Sequence, residues 1–276
     1  MKRYGWLLGC CLFLSIGMLW AADEPDLRML QQKAAQSRDM EGYVGVCKYL
    51  YQTEENPELL LLYADSIHQL ATKSKKPEQL VEYYIWASEG NFIKGDFQQG
   101  YALKRKAIAL AEKAGLKFAI SQSCCDMGYY CNVDARYDSA RYYFRKGLEA
   151  GEDLSEAGEA CRTMLTNYAS SFLFEGKTDS ALVYTIRASE RSAADKDTAM
   201  LIENLNQLGT IYRRKKNLEN CIANFEQALH LCELRGNHNA VAFIYGNIAT
   251  AYCDWNRPVD AIPFSEKAVE LSLIHI

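Results

Sequence analysis

Apolar residues recur at helical spacing along most of this chain. Leu165, Tyr168 and Phe172, then Leu205, Leu208 and Tyr212, then Tyr245, Ile248 and Tyr252 each fall at i, i+3 and i+7. That spacing places three large side chains on one face of an α-helix. The stretches Leu27-to-Arg38, Met40-to-Thr53 and Pro57-to-Lys73 show helical patterning too, and Asn56-Pro57 makes a good helix start. Asp138 and Thr178 stand where N-caps are expected. The pattern predicts helices throughout.

Small residues reveal an internal repeat. Ser88, Gly128, Ala169, Gly209 and Ala249 are 40, 41, 40 and 40 residues apart. Twelve residues after each come Gly100, Ala140, Ala181, Cys221 and Ala261, and seven further on Ala107, Gly147, Ala188, Ala228 and Ala268. Two antiparallel helices approach closely only where the facing side chains are small. The second helices carry Phe144 and Phe225, with Tyr184 and Phe264 one residue earlier in their repeats. Turns within the pairs are expected at Gly95, Ala135, Gly176, Lys216 and Asn256. Gly115, Gly151 and Gly236 are expected to follow second helices.

The runs Leu205-x-x-Leu208-Gly209-x-x-Tyr212 with Cys221, Phe225 and Ala228, and Ile248-Ala249-x-x-Tyr252 with Ala261 and Ala268, resemble the tetratricopeptide repeat family. The resemblance covers roughly Pro77 to Glu270 in five repeats of the long-helix kind. It is weakest in the first repeat, where Asn91 and Lys104 replace aromatics. It implies an all-α fold, a right-handed superhelical solenoid of antiparallel helix pairs. Residues 23–76 then read as a helical cap or degenerate repeat, and 77–270 as the array.

The resemblance also implies a groove lined by first helices that takes a protein or peptide. Its expected lining is Tyr129, Asn132, Thr166, Asn167, Ser170, Asn206, Gln207, Thr210, Arg213, Arg214, Asn247 and Thr250. Trp86 and Glu89 occupy matching places in the first repeat, with Glu82 one turn earlier. An Asn amide both donates and accepts, so a ladder of Asn suits an extended peptide backbone. Arg213 and Arg214, with Lys215 and Lys216, suit a carboxylate. The other reading of these residues is that Asn bridges neighbouring helices and the basic run is a helix end favoured by its dipole.

The termini qualify the length of 276 residues. Lys2 and Arg3, an uncharged run from Tyr4 to Ala22, and then Asp23-Glu24 read as a secretory signal peptide over 1–22, or an uncleaved anchor. Leu271-Ser272-Leu273-Ile274-His275-Ile276 reads as a translated sequencing-library adapter, with the natural chain continuing past Glu270. The whole resembles the exported sensory part of membrane-anchored regulators of Gram-negative bacteria. That implies a periplasmic module, tied to the inner membrane by its leader or by a helix beyond this sequence. A periplasmic or membrane-associated scaffold without signalling output is the alternative.

Charge and chemistry narrow the picture further. Thirty-one basic residues against 35 acidic give a net charge of −4, which carries no general polyanion-binding footprint, so no nucleic-acid partner is expected of these residues. No phosphate-binding glycine loop and no His-Glu-x-x-His occurs. Of the four histidines, His68, His230, His238 and His275, only His230 and His238 fall near one inter-repeat turn, and two histidines alone make a poor metal site. Neither catalytic residues, nor a metal, nor a cofactor is expected, although a kinase domain beyond the sequence is not excluded. Cys124, Cys131, Cys221 and Cys253 fall at or beside packing slots and read as buried free thiols.

Overall fold

The computed structural model describes residues 26–54 and 56–273. The leader over 1–22 and residues 274–276 of the adapter-like hexapeptide lie outside the described residues. Thirteen α-helices and a short 3-10 turn make up the secondary structure, with no strand among the described residues.

The described residues form two compact units. One takes the residues up to Tyr130 together with Tyr142–Cys161, and the other takes Cys131–Arg141 and the residues from Arg162 onward. The first holds α1 (Leu27–Ser37), α2 (Met40–Thr53), α3 (Pro57–Ser74), α4 (Pro77–Lys94) and α5 (Phe97–Ala114). Helices α6 (Lys117–Val133), α7 (Tyr137–Gly151) and α8 (Gly158–Phe174) contribute residues to both. The second holds α9 (Thr178–Ala194), α10 (Thr198–Arg214), α11 (Leu218–Leu234), α12 (His238–Asp254) and α13 (Pro258–Leu273). Sequential neighbours pack together within each unit, as in α4 with α5, α10 with α11, and α12 with α13.

The small-residue frame is a packing frame. Fourteen of its fifteen positions are buried, Ala268 being half-buried. A Cβ added at Gly209 would stand 2.5 Å from the Phe225 ring, and one at Gly128 would stand 2.4 Å from the Phe144 ring. Both rings are fully buried. The first helix therefore gives up its side chain so that the second can seat an aromatic against its backbone. In the second unit this builds a core of Leu205, Leu208, Phe225, Ile244, Tyr245 and Ile248.

All five expected turns within pairs are left-handed, including the less suitable Ala135 (φ 57°) and Lys216 (φ 56°). Gly115 and Gly236 follow their helices in the same conformation, and so does Lys196 (φ 57°). Gly151 differs. It is the last residue of α7 and has no positive φ; a Cβ there would stand 2.4 Å from the Ser121 hydroxyl, so close approach demands the glycine. Asn56 caps α3 as expected, its Oδ1 accepting from the Leu59 N–H at 2.9 Å. Asp138 and Thr178 are not caps. Both lie inside the first turn of their helices, where Asp138 accepts from Arg141 and Thr178 donates to the Gly176 carbonyl.

Candidate functional site

In the second unit the first helices α8, α10 and α12 carry a connected row of polar side chains. Asn132, near the end of α6, donates through Nδ2 to the Asn167 carbonyl at 3.0 Å. Thr166 donates to Asn204 Oδ1 at 2.9 Å, and Asn204 donates on to Ser192 at 3.1 Å. Gln207 donates to the Ser170 hydroxyl at 2.6 Å and accepts from Thr185 at 2.8 Å. Asn247 donates to Asn206 Oδ1 at 2.8 Å. Thr210 and Thr250 turn back on their own helices, to the carbonyls of Asn206 and Gly246.

Much of this row therefore joins one helix to the next. Asn132, Thr166, Asn167 and Ser170 are buried, Asn206, Gln207, Thr210 and Asn247 half-buried, and Thr250 exposed. Unused capacity remains on the row. Asn132 Oδ1 is buried without a partner. Its amide orientation is fixed, because the atom facing a carbonyl must be the donor. The Asn167 carboxamide beside it makes no hydrogen bond among the described residues.

The basic run is partly engaged. Arg214 donates to the Leu173 carbonyl at 2.7 Å, satisfying a carbonyl in the last turn of α8. Arg213 lies 3.5 Å from Asp254, and Lys215 pairs with Asp179. Glu203, also on α10, has its carboxyl pushed up to about 7 by burial and by the nearby Asp197 charge.

Tyr129 belongs to the other unit, half-buried, with its ring 5.4 Å from that of Tyr130. There the sequence reading needs correction. Glu89, expected to line the groove, is turned inward and 2% exposed. It accepts from Lys104 and, at 2.8 Å, from the Tyr130 hydroxyl. Lys104 is fully buried and also donates to Asp126 at 2.9 Å. The lysine that replaced an aromatic is thus the centre of a buried ion cluster. Burial and the Asp126 charge raise the Glu89 carboxyl against the pull of Lys104. Trp86 is buried as well, its indole N–H donating to Glu82 at 2.9 Å.

Burial pushes the thiols up, Cys124 and Cys47 to about 12 and Cys221 and Cys232 to about 11, so they are protonated at neutral pH. Cys253 departs from the expectation and is exposed. No described helix is long and apolar enough to cross a membrane.

The sequence model described as tetratricopeptide repeat matches residues 198–273. No curated protein matches the chain. Among solved structures, BtubC from P. vanneervenii is 16% identical, covering 91% of this chain and 93% of its own, with a TM-score of 0.66. Aspartyl phosphate phosphatase F from Bacillus subtilis is 15% identical, covering 98% and 73%, with a TM-score of 0.65. NprR in complex with its cognate peptide NprX is 14% identical, covering 96% and 77%, with a TM-score of 0.51. At these identities the likeness concerns the fold alone.

Proposed function

Because residues 198–273 belong to the tetratricopeptide repeat family and the chain shares the fold of such repeat proteins, we propose that it is a binding module for an extended peptide, held along α8, α10 and α12. The observation that carries this is the Asn167 carboxamide, which makes no hydrogen bond among the described residues on a row whose members otherwise largely bridge helices. A peptide main chain supplies both the donor and the acceptor that a carboxamide can use. Arg213, facing Asp254 only at 3.5 Å, is available to an acidic side chain or a C-terminal carboxylate. NprR, a structural neighbour, is described in complex with a peptide.

Further, we assign the module to the periplasm as the sensory part of a membrane-anchored regulator. The support is the leader pattern over 1–22 joined to the repeats, and the ligand would act by changing how the helix pairs stack. A scaffold without output is the second reading. It is favoured by how many of the row's side chains bridge helices (Gln207 to Ser170, Asn247 to Asn206).

The test is selection of linear peptides from a displayed random library. Recovered peptides should bind the chain, lose about tenfold or more with Asn167→Ala, and lose further with Arg213→Ala. Peptides that bind both variants as tightly as the parent would sink the reading. Fractionation of the full-length protein tests the compartment separately.

A further inference from the structure

Resting on the peptide reading above, we propose that Glu203 and Phe243 form a subsite for a basic side chain. The peptide then carries a Lys or Arg about four or five residues from the carboxylate that Arg213 receives. The placement comes from register. Asn247 donates to Asn206 at 2.8 Å and Arg213 faces Asp254 at 3.5 Å, and in each pair the partners are 41 residues apart. Two contacts at one offset fix α10 and α12 as parallel and in step. Glu203 stands one turn before Asn206, and Phe243 one turn before Asn247, each on the same helix face as the residue it precedes. Both side chains therefore stand at one level of the polar row, on neighbouring helices.

Each of the two offers a cation something that the chain itself does not use. Glu203 is half-buried, yet it makes no hydrogen bond and no ion pair among the described residues. The charge acting on it is Asp197, of its own sign, and Asp197 is already matched by Arg162 at 2.7 Å. Arg162 and Arg191 also share Asp195, so both of these basic groups are engaged. A carboxyl in such a place is costly to keep ionised, and its value of about 7 reflects that. An incoming ammonium or guanidinium supplies the missing charge. Phe243 is 43% exposed, while Ile244 beside it is buried in the core. An exposed ring at the level of a carboxyl suits the methylene stem of Lys or Arg and, over its face, the charge itself. The spacing follows from α10. Ten residues separate Glu203 from Arg213, about 15 Å of helix, and extended chain covers about 3.3 Å per residue.

The probe is a library of random linear peptides displayed with a free C-terminus and selected on the unmodified chain. We expect the recovered peptides to carry Lys or Arg at that spacing from an acidic side chain or from the C-terminus. One of them is then synthesised twice, with its basic residue and with norleucine in its place. The norleucine form should bind the unmodified chain about tenfold more weakly. On Glu203→Gln, which keeps the side-chain volume, the two peptides should bind within about twofold of each other. Phe243→Leu should weaken the basic peptide about threefold. Circular dichroism checks that both variants are folded. Recovered peptides without a basic residue at the spacing would overturn the proposal. So would a tenfold preference for the basic peptide that survives in Glu203→Gln. In both cases a loss of binding with Asn167→Ala leaves the peptide reading standing, whereas a folded chain that recovers no peptide removes both.

Discussion

The ammonium of Lys104 lies 2.9 Å from the Asp126 carboxylate with no part of its side chain exposed. It is also paired with Glu89, itself almost fully buried. Removing one partner of such a cluster leaves charge without compensation, which costs about 3–5 kcal/mol. Lys104→Met should destabilise the protein by that amount near neutral pH. The sign with pH follows from the Glu89 carboxyl. Without the cation, burial holds the folded-state value of Glu89 still further above its unfolded one. The variant is then most stable in acid and loses stability as pH rises. Replacing Glu89 by Leu as well should recover part of the loss, because the two changes share one network. Denaturant melts of the single and double variants at two pH values check this.

Gly209 allows the fully buried Phe225 ring to sit against its backbone. Gly209→Ala gains about 1 kcal/mol of helix propensity. It also forces a Cβ to 2.5 Å from a ring with nowhere to go, an overpacking cost of about 1–3 kcal/mol. The expected balance is a net loss of about 1 kcal/mol. Phe225→Ala should lose about 3–5 kcal/mol through the cavity it leaves. A Gly209→Ala variant that melts higher than the parent would contradict this packing account.

Glu203 links stability to pH in the second unit. Its folded-state value of about 7 stands above the ordinary 4.5. The folded protein therefore holds a proton that the unfolded chain releases, and this stabilisation is complete below about 4.5 and lost as pH rises through about 7. The side chain is half-buried, so the effect is discounted for solvent screening to about 1–2 kcal/mol. Between about pH 5 and pH 7.5 the melting temperature should fall for the parent and stay flatter for Glu203→Gln.

How far was this arrangement legible in the sequence? The repeat was, because Gly209 and Phe225 obey a steric rule that leaves a trace at fixed spacing. The left-handed turn at Ala135 could be placed by register although Ala gives no local signal for it. The first repeat was harder. Nothing local in Lys104 or Glu89 says that they face inward, because their pairing spans 15 residues and depends on α4 meeting α5. The polar row lay between these cases. Its members were placed on the correct helices, but whether Gln207 reaches Ser170 or a ligand is decided by side-chain reach.

Asn206 and Asn167 separate an amide held by the fold from one that is not. Asn206→Ala leaves the Asn247 amide without its acceptor at 2.8 Å, and the protein should lose about 1 kcal/mol. Asn167→Ala removes a carboxamide that makes no hydrogen bond within the described chain, so stability should change by about half a kcal/mol or less. Paired thermal and denaturant melts decide it, and a large loss for Asn167→Ala would show that this amide is held by the fold.

Ala135 turns the chain between α6 and α7 with a φ of 57°, a conformation that its Cβ disfavours. Left-handed backbone costs a non-glycine residue about 1 kcal/mol, and glycine removes that strain. Glycine also gives the unfolded chain more freedom, which offsets part of the gain. Ala135→Gly should therefore stabilise the protein by about 0.5 kcal/mol. Gly176→Ala, at a φ of 83° in the corresponding turn, should destabilise it by about 1 kcal/mol. The two substitutions run in opposite directions at equivalent positions, so a shared artefact of handling cannot produce both. Chemical melts of the pair measured side by side test the assignment, and a loss of stability in Ala135→Gly would mean that the methyl group contributes more by packing than it costs in the backbone.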